Sequence, residues 1–481
     1  MITMKDNWFV AVIAAVVTGI LYALSLDIGP FGPLALIAPI PLLLFALTSG
    51  RTVRVAAAAF IARIVSFSGI FIAYGGTLPL AALAAMAVIF ALAFTASILL
   101  TRWCAHRLPA WLTVFSFPVF ATAIEFVLLM GSPHGTFGAM GYSLISILPL
   151  AQFASIGGVA GLTFIVALVP MCIAMLLHRP RNWREAALAG ALPIVLILAF
   201  GFWRLSLPYE TSVHVGLGAI DELTMRALKS PADAADVAGR YASLGGSIRP
   251  GELDFIVFPE RVFADAQDQM GHGSAPLQSL SRTSGATVIA GFDEKLADGR
   301  HANTARIFLP RGGSMSYTKR RLIPGLESEL MPGNQSLVMS SVGVAICKDM
   351  DFASMIREYG QRGVSLMLVP AWDFKIDGRA HSRMAMVRSI ENGFAMVRAA
   401  ATGRLTVNDA YGRVVAEQNS SGSQQSWLTA SVGLSSNVPT LYTKIGESFA
   451  WLSIAGSILL LFMAWRLRRR ALAQPTDRVT A

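Results

Sequence analysis

Val342-Gly-Val-Ala-Ile-Cys347-Lys348-Asp349-Met-Asp-Phe352 decides how this chain is read. A short apolar run rich in β-branched residues that ends abruptly in charge predicts a buried strand feeding a turn. Cys347 stands where strand gives way to turn, and it is the only cysteine of the polar second half. Two upstream stretches are punctuated in the same way: Asp254-Phe-Ile-Val-Phe-Pro-Glu260 ends on a carboxylate, and the run to Tyr317-Thr-Lys319 ends on an ammonium. A strand that ends on a reactive side chain delivers it to the mouth of a sheet, where substrates reach. Glu260, Lys319 and Cys347 so placed predict covalent thiol catalysis.

Working outward, residues 210–436 read as one α/β domain. Strands are expected at Val213–Ile220, Phe255–Phe258, Thr287–Gly291, Arg306–Leu309, Val342–Ile346 and Leu366–Val369, with a helix over Ala380–Asn392. A last pair, Ala395–Ala401 and Leu405–Asp409, turns at Gly403. Alternating strands and helices imply helices packed on a sheet.

The first half is different. The 481 residues are 54% hydrophobic and only 14% charged, against about 25% charged in a soluble domain. Apolar runs of roughly the 20 residues needed to span a bilayer occur near 8–26, 33–48, 55–75, 79–100, 110–130, 156–177, 186–205 and 447–465, predicting eight spans. The loops alternate in charge. Lys5, Arg51 and Arg54, Arg102 and Arg107, Arg179, Arg181 and Arg184, and the Arg466–Arg470 cluster form one set, and the intervening loops near 27–32, 76–78 and 131–150 carry no Lys or Arg. The positive-inside rule makes the basic set cytoplasmic. Both termini then lie in the cytoplasm and the polar domain lies on the outer face, the periplasm of a bacterium. The formal net charge of +10 belongs largely to these loops, which argues against a nucleic-acid partner. The first apolar run is too long for a cleavable signal and no small-x-small site follows it. Arg63 and Glu125 fall inside spans, where ionisable residues are costly; an inter-helix pair or a snorkelling side chain is the plain expectation. Domain boundaries follow: 1–208 for seven spans, 209–438 for the polar domain, 439–470 for an eighth span with its basic anchor, and 471–481 for a disordered tail.

The chemistry expected of the triad is specific. A free thiol has a pKa near 8.5 and is mostly protonated at neutral pH. A carboxylate in reach serves as general base, which suits Glu260. A lysine favours thiolate and stabilises an oxyanion, which suits Lys319. The backbone N–H of Lys348 follows the nucleophile directly and is a second oxyanion donor. Trp372 and Asp373 follow a strand and line the expected pocket with Lys348 and Asp349. Arg388 and Glu391, three apart on a helix, read as a structural ion pair. Cys104 and Cys172 lie in or beside spans and read as packing residues. The seven histidines show no metal spacing, and neither HExxH nor the G-x-S-x-G elbow of serine hydrolases is present. No cofactor is expected.

Together these residues resemble the nitrilase (carbon-nitrogen hydrolase) superfamily, with its Glu-Lys-Cys triad and αββα sandwich. With the membrane spans, the chain resembles the apolipoprotein N-acyltransferase family over nearly its whole length. Gly141-Tyr-Ser143 followed by Ser155-Ile-Gly-Gly-Val-Ala-Gly-Leu-Thr-Phe164 is similar to that family's loop and sixth helix. Phe-Pro-Glu260 is similar to its Trp-Pro-Glu, and Lys319-Arg-Arg-Leu-Ile-Pro-Gly-Leu-Glu327 to its Lys-x-x-Leu-Val-Pro-Phe-Gly-Glu, which implies Glu327 as an auxiliary active-site carboxylate. Arg388-Ser-Ile-Glu391 is similar to its Arg-Ala-x-Glu helix. The resemblance implies a polytopic α-helical membrane domain joined to a nitrilase-like sandwich. It also implies acyl transfer from a phospholipid, through a Cys347 thioester, to an amine such as a lipoprotein N-terminus. Departures surround the pocket: Cys347-Lys348-Asp349 stands for Cys-Tyr-Glu, and Thr402-Gly403-Arg404 for Asn-Asn-Gly. They leave two other readings open, a conjugal transfer protein of the TraB type and a membrane-bound nitrilase-type amidase or hydrolase.

Overall fold

The computed structural model describes residues 6–473 except 27–30, 77, 179–180, 225–229, 247, 266–272, 375, 423–424, 436–437 and 439. Two compact units emerge. A helical unit holds residues up to 131, 138–203 and 447 onward, and an α/β unit holds 132–137 and 204–446.

In the helical unit, together with the last residues of the helix that leaves it, seven helices among the described residues are long and apolar enough to cross a membrane: Trp8–Ser25, Thr52–Tyr74, Leu80–Ala105, Ala110–Met130, Ala154–His178, Trp183–Leu205 and Ser448–Arg470. The expected second span, over 33–48, is not among them. It is a 3-10 turn, Gly32–Leu36, followed by a helix of only 9 residues, Ile40–Thr48. Pro39 and Pro41 flank the break, and proline removes a backbone donor and clashes with the preceding turn. The broken segment still carries the chain back along the first helix. Just beyond it, Ser49 Oγ donates to Asp6 Oδ1 (2.7 Å), the Gly50 N–H donates to Asp6 Oδ2 (3.0 Å), and Arg54 pairs with Asp6 at 3.1 Å. Cys104 and Cys172 are buried packing residues; a Cβ on Gly190 would meet Cys172 Sγ at 2.1 Å. Arg63 and Glu125 do not pair. Arg63 lies among the rings of Tyr22, Phe67 and Phe90, 5.4–5.9 Å from their centroids. Glu125 accepts from Thr163 Oγ1 (2.5 Å) and the Met140 N–H (2.9 Å). The final helix continues to Ala473, into the expected disordered tail, and the rest of that tail lies outside the described residues.

Among its described residues the α/β unit contains thirteen strands: β1 (Thr211–Ala219), β2 (Phe255–Val257), β3 (Phe263–Asp265), β4 (Thr287–Lys295), β5 (His301–Phe308), β6 (Ser314–Thr318), β7 (Leu337–Met339), β8 (Val342–Val344), β9 (Leu366–Ala371), β10 (Ala395–Ala400), β11 (Arg404–Asn408), β12 (Val414–Asn419) and β13 (Ser426–Leu434). One sheet runs β13-β1-β2-β4-β5-β6 with β3 paired to β4, and the other runs β12-β11-β10-β9-β8-β7. Both are mixed, with parallel pairing at β1–β2, β2–β4, β8–β9 and β9–β10.

Period-two alternation sorts the side chains into layers. Val257 and Ile289 of the first sheet point into the core shared with Val344, Leu368, Val397 and Leu405 of the second. Their neighbours Ile256, Val288 and Ala290 point the other way, onto a layer holding Val237, Tyr241 and Leu277 of helices Pro231–Leu244 and Ala275–Ser284. Helix Gly378–Asn392 packs on β10 and β11 of the second sheet. The result is helix, sheet, sheet, helix: the expected αββα sandwich. Arg388 and Glu391 form the expected ion pair, 2.8 Å long and fully buried.

Candidate active site

Each of the three reactive residues sits just beyond the carboxyl end of a strand: Glu260 after β2, Lys319 after β6 and Cys347 after β8. The backbone tightens at two of these exits. Cys347 (φ +42°) and the residue after Glu260, Arg261 (φ +53°), lie in the left-handed region, which costs a non-glycine residue energy and is commonest at functional sites. The strand opposite makes room: a Cβ on Gly291 would come within 2.5 Å of Glu260 Cα. The Glu260 N–H bonds the Ala371 carbonyl of β9 (3.2 Å), tying this turn to the other sheet.

Lys319 is 0% exposed and is held by two carboxylates. Its Nζ donates to Glu260 Oε1 (2.7 Å) and to Glu327 Oε2 (2.8 Å) and Oε1 (3.0 Å). Asn303 Nδ2 on β5 bridges the same carboxylates, donating to Glu260 Oε1 (2.6 Å) and Glu327 Oε1 (2.9 Å). Glu327 Oε2 also accepts the Ile323 N–H (2.8 Å). Glu327 is thus saturated, whereas both bonds to Glu260 fall on Oε1. Among the described residues Glu260 Oε2 accepts none, which leaves it able to take a proton.

The charges explain the ionisation states. Burial alone would depress the Lys319 ammonium, but Glu260, Cys347 and Glu327 outweigh it and hold the pKa well above the ordinary lysine value. Burial pushes Glu327 up, and Lys319, the Ile323 N–H and Asn303 more than reverse this, so the carboxyl titrates below its usual range. The Cys347 thiol is pushed well up, by burial first and then by Glu260 and Asp373, against the opposing pull of Lys319 and Arg398. Two carboxylates around one lysine leave net negative charge near the sulfur. The resting group is therefore a thiol that needs a base, and it donates to the Trp372 carbonyl at 3.5 Å.

The four expected substrate-binding residues divide. Lys348 is 7% exposed beside the thiol, and Trp372 offers that carbonyl while its ring packs on the helix-side core. Asp349 turns toward the backbone around it. It is fully buried, and its oxygens accept from Tyr317 Oη (2.7 Å) and the N–H groups of Ile346 (3.0 Å), Arg320 (3.2 Å) and Arg321 (2.8 Å). It closes the nucleophile's turn and ties it to the loop after β6, and burial raises its pKa to about 6. Asp373 is buried as well. It forms a buried ion pair with Arg398 of β10, closed over by Gly403 (φ +126°), where a Cβ would lie 2.5 Å from Asp373 Oδ2. Both placements have one cause: a carboxylate next to a strand end has backbone N–H groups or a buried arginine within reach.

Asn303 was missed, and its signal is a polar residue at a core-facing position of the alternation Asn303, Ala305, Ile307. His134 was missed for lack of any local signal. It belongs to the hexapeptide Ser132–Phe137, which packs with the α/β unit: Thr136 donates through N and Oγ1 to the Asp351 carbonyl (2.9 and 2.8 Å), and Phe137 stacks on His381 (5.6 Å, 26°). Among the described residues, no group of three or more His, Cys, Asp or Glu is placed to hold a metal ion.

Comparison with known proteins gives the same division. Residues 18–172 match the family described as the apolipoprotein N-acyltransferase N-terminal domain, and residues 223–435 match the carbon-nitrogen hydrolase family. The apolipoprotein N-acyltransferase of Geobacter metallireducens is 26% identical over 398 residues, 73% of this chain and 74% of that protein. The one from Rhodopseudomonas palustris is 28% identical over 436 residues, 80% and 78% of the two chains. An (R)-stereoselective amidase of a Pseudomonas species is 26% identical over 156 residues, 30% of this chain and 57% of its own. Among solved structures, an amidase from a Nesterenkonia species superposes with a TM-score of 0.40 at 20% identity, covering 47% of this chain and 94% of that one.

Proposed function

We propose, from the premise that this chain is an apolipoprotein N-acyltransferase-like membrane protein with a nitrilase-superfamily domain, that it is a membrane N-acyltransferase acting on lipoproteins through a Cys347 thioester. The observation that carries the reading is a buried thiol beside a lysine held between two carboxylates, one of which keeps an oxygen free. In the first half-reaction Glu260 Oε2 takes the thiol proton as sulfur attacks the acyl ester of a phospholipid. The ester C–O bond breaks, and the departing alkoxide of the lysophospholipid takes that proton back. In the second, an amine attacks the thioester, Glu260 accepts the proton lost by nitrogen, the C–S bond breaks, and the sulfur recovers its proton. Lys319 offsets the negative charge on sulfur and oxygen in both, and the Lys348 N–H is the oxyanion donor. Splitting one hard acyl transfer into two easier steps is what covalent catalysis offers.

Glu327 and Asn303 are positioning residues, since they reach the reaction through Lys319 and Glu260. The charge asymmetry of the loops supports an inner-membrane protein with cytoplasmic termini and the α/β unit on the outer face. The Geobacter and Rhodopseudomonas acyltransferases align with 73% and 80% of this chain, and the amidase with 30%, which favours transfer over hydrolysis. The test supplies phospholipid and a diacylglyceryl-cysteine peptide to the purified protein and reads the products by mass. N-acylated peptide supports the reading. Free fatty acid with unmodified peptide would mean water is the acceptor.

A further inference from the structure

We propose that a cavity at the opposite end of the second sheet from Cys347 is a separate, non-catalytic lipid site. It holds a glycerophospholipid by its headgroup and takes headgroups that carry an O–H or N–H donor. The cavity is about 400 Å³, and all its lining residues belong to the α/β unit. It lies where helices Ala353–Gln361 and Gly378–Asn392 end, against the chain around Ser435, Thr443 and Lys444. Gly363 and Val364 of the lining lead into the amino end of β9, and Trp372, whose carbonyl meets the thiol, follows its carboxyl end. The 6 residues of β9 set the two ends about 20 Å apart.

Inside the cavity one acceptor is unspent. Asn392 is 4% exposed. Its Nδ2 donates to the Arg388 carbonyl (2.9 Å), which fixes the amide's orientation, because a flipped amide would set oxygen against oxygen. Oδ1 is buried and accepts no hydrogen bond among the described residues. It faces Gly360, where a Cβ would lie 2.7 Å away, so the missing side chain keeps the oxygen uncovered. A buried acceptor left empty costs free energy, which a donor brought by a ligand recovers. At the rim, exposed Lys444 is the only charged residue of the lining among the described residues. Arg357 donates from Nε to the Thr443 carbonyl (2.9 Å) and from Nη2 to the Lys444 carbonyl (2.8 Å), which pins this chain and adds a second cation behind it.

A cationic rim over a buried acceptor fits a ligand with an anion followed by a donor. A phosphodiester ending in ethanolamine or glycerol has both. One ending in choline has the same phosphate but no N–H or O–H for Asn392. The bilayer is the source. Lys444 precedes Ser448, where the last apolar helix starts, and the chain between them reaches at most about 14 Å. Leu441 and Ile445, on one side of the short helix Leu441–Ile445, are 47% and 40% exposed. Apolar side chains so close to a membrane helix suit acyl chains, which leaves the headgroup to the cavity.

The test uses the full-length Cys347→Ala protein, so that no acyl group is transferred. Phosphatidylethanolamine and phosphatidylcholine of identical chains are supplied in detergent micelles, and bound lipid is read by native mass spectrometry. The ethanolamine lipid should bind about 10-fold more tightly than the choline lipid. Asn392→Ala should bring that ratio to within about 2. Lys444→Gln, at an exposed position, should weaken both lipids by about 3-fold and leave the ratio unchanged. Equal binding of the two lipids would overturn the proposal, and so would a preference that survives in a folded Asn392→Ala protein. If Asn392→Ala does not fold, Lys444→Gln decides: binding of both lipids at the original strength would overturn the proposal. Glycerophosphoethanolamine, the same headgroup without acyl chains, should not displace the lipid at equal concentration; displacement would mean a site for a free phosphodiester and would overturn the lipid assignment. None of these outcomes bears on the thioester reading.

Discussion

Arg63 in the helical unit and Lys319 in the α/β unit are both buried, at 4% and 0% exposure, yet they are held by opposite means. Arg63 has three aromatic faces around it and a hydrogen bond to Ser66 Oγ at 3.4 Å. Lys319 has three carboxylate-oxygen contacts between 2.7 and 3.0 Å. A ring quadrupole attracts a cation without carrying charge of its own. A carboxylate does carry charge, and loses its compensation when the cation goes. The lesson is that the α/β unit surrounds its buried cation with an excess of carboxylate charge beside a thiol, and the helical unit surrounds its own with rings.

The sharpest break in that comparison is Lys319→Met. It strands Glu260 and Glu327 without a counter-ion, and should cost about 3–5 kcal/mol of stability together with all acyl-enzyme formation. Thermal unfolding of the detergent-solubilised protein and intact mass read the two effects. A stable Lys319→Met protein would mean that the carboxylates do not depend on Lys319.

Asp349→Asn comes next. Its carboxylate collects four hydrogen bonds that hold the nucleophile's turn, and an amide presents an N–H₂ to some of those donors. The expected loss is about 2–3 kcal/mol with slowed acylation from every donor. Donor-dependent slowing would return Asp349 to the pocket.

A smaller, pH-dependent effect is expected at His381. Burial lowers its pKa, but Asp377, with Asp373 and Asp351 behind it, outweighs burial and raises the value to about 9. A base whose folded pKa exceeds its unfolded value adds stability that is complete below pH 6.5 and lost as pH rises through about 9. The contribution is about 2–3 kcal/mol, and His381→Gln should flatten the melting profile across that window. A profile unchanged by the substitution would show that His381 is not the group responsible.

The smallest effect belongs to Arg63→Leu. No carboxylate is paired with Arg63, so an apolar replacement should move stability by only about 1 kcal/mol. A loss as large as that of Lys319→Met would erase the contrast between the two units.

Much of the α/β unit was legible because its central strands are apolar and end in charge. The exits of β2, β6 and β8 announced Glu260, Lys319 and Cys347 before any geometry. The edges were not legible. β12 is half-exposed Val-Val-Ala-Glu-Gln-Asn, and β13 mixes Ser, Thr and Gly; their strand character comes from pairing with β11 and with β1, the latter more than 200 residues away in sequence. β3 and β7 are three residues each, too short for any periodicity. The same distinction holds for the site. Glu260, Lys319 and Cys347 stand at the strand exits their own segments mark, whereas the contacts of Asp349 and Asp373 are not legible because adjacency to a strand end does not say which way a carboxylate turns. His134 depends on a contact 214 residues apart, which nothing local encodes. In the helical unit, hydropathy marks 33–48 as one apolar run, and the structure breaks it at its prolines into a 3-10 turn and a 9-residue helix.

The most direct test of the account is the mass of the protein after exposure to phospholipid. Purified from membranes and incubated with a labelled donor, the wild type should gain one acyl chain that neutral hydroxylamine removes, and Cys347→Ala should gain none. A folded wild-type protein that acquires no adduct, or an adduct that persists in Cys347→Ala, would contradict thioester chemistry at Cys347.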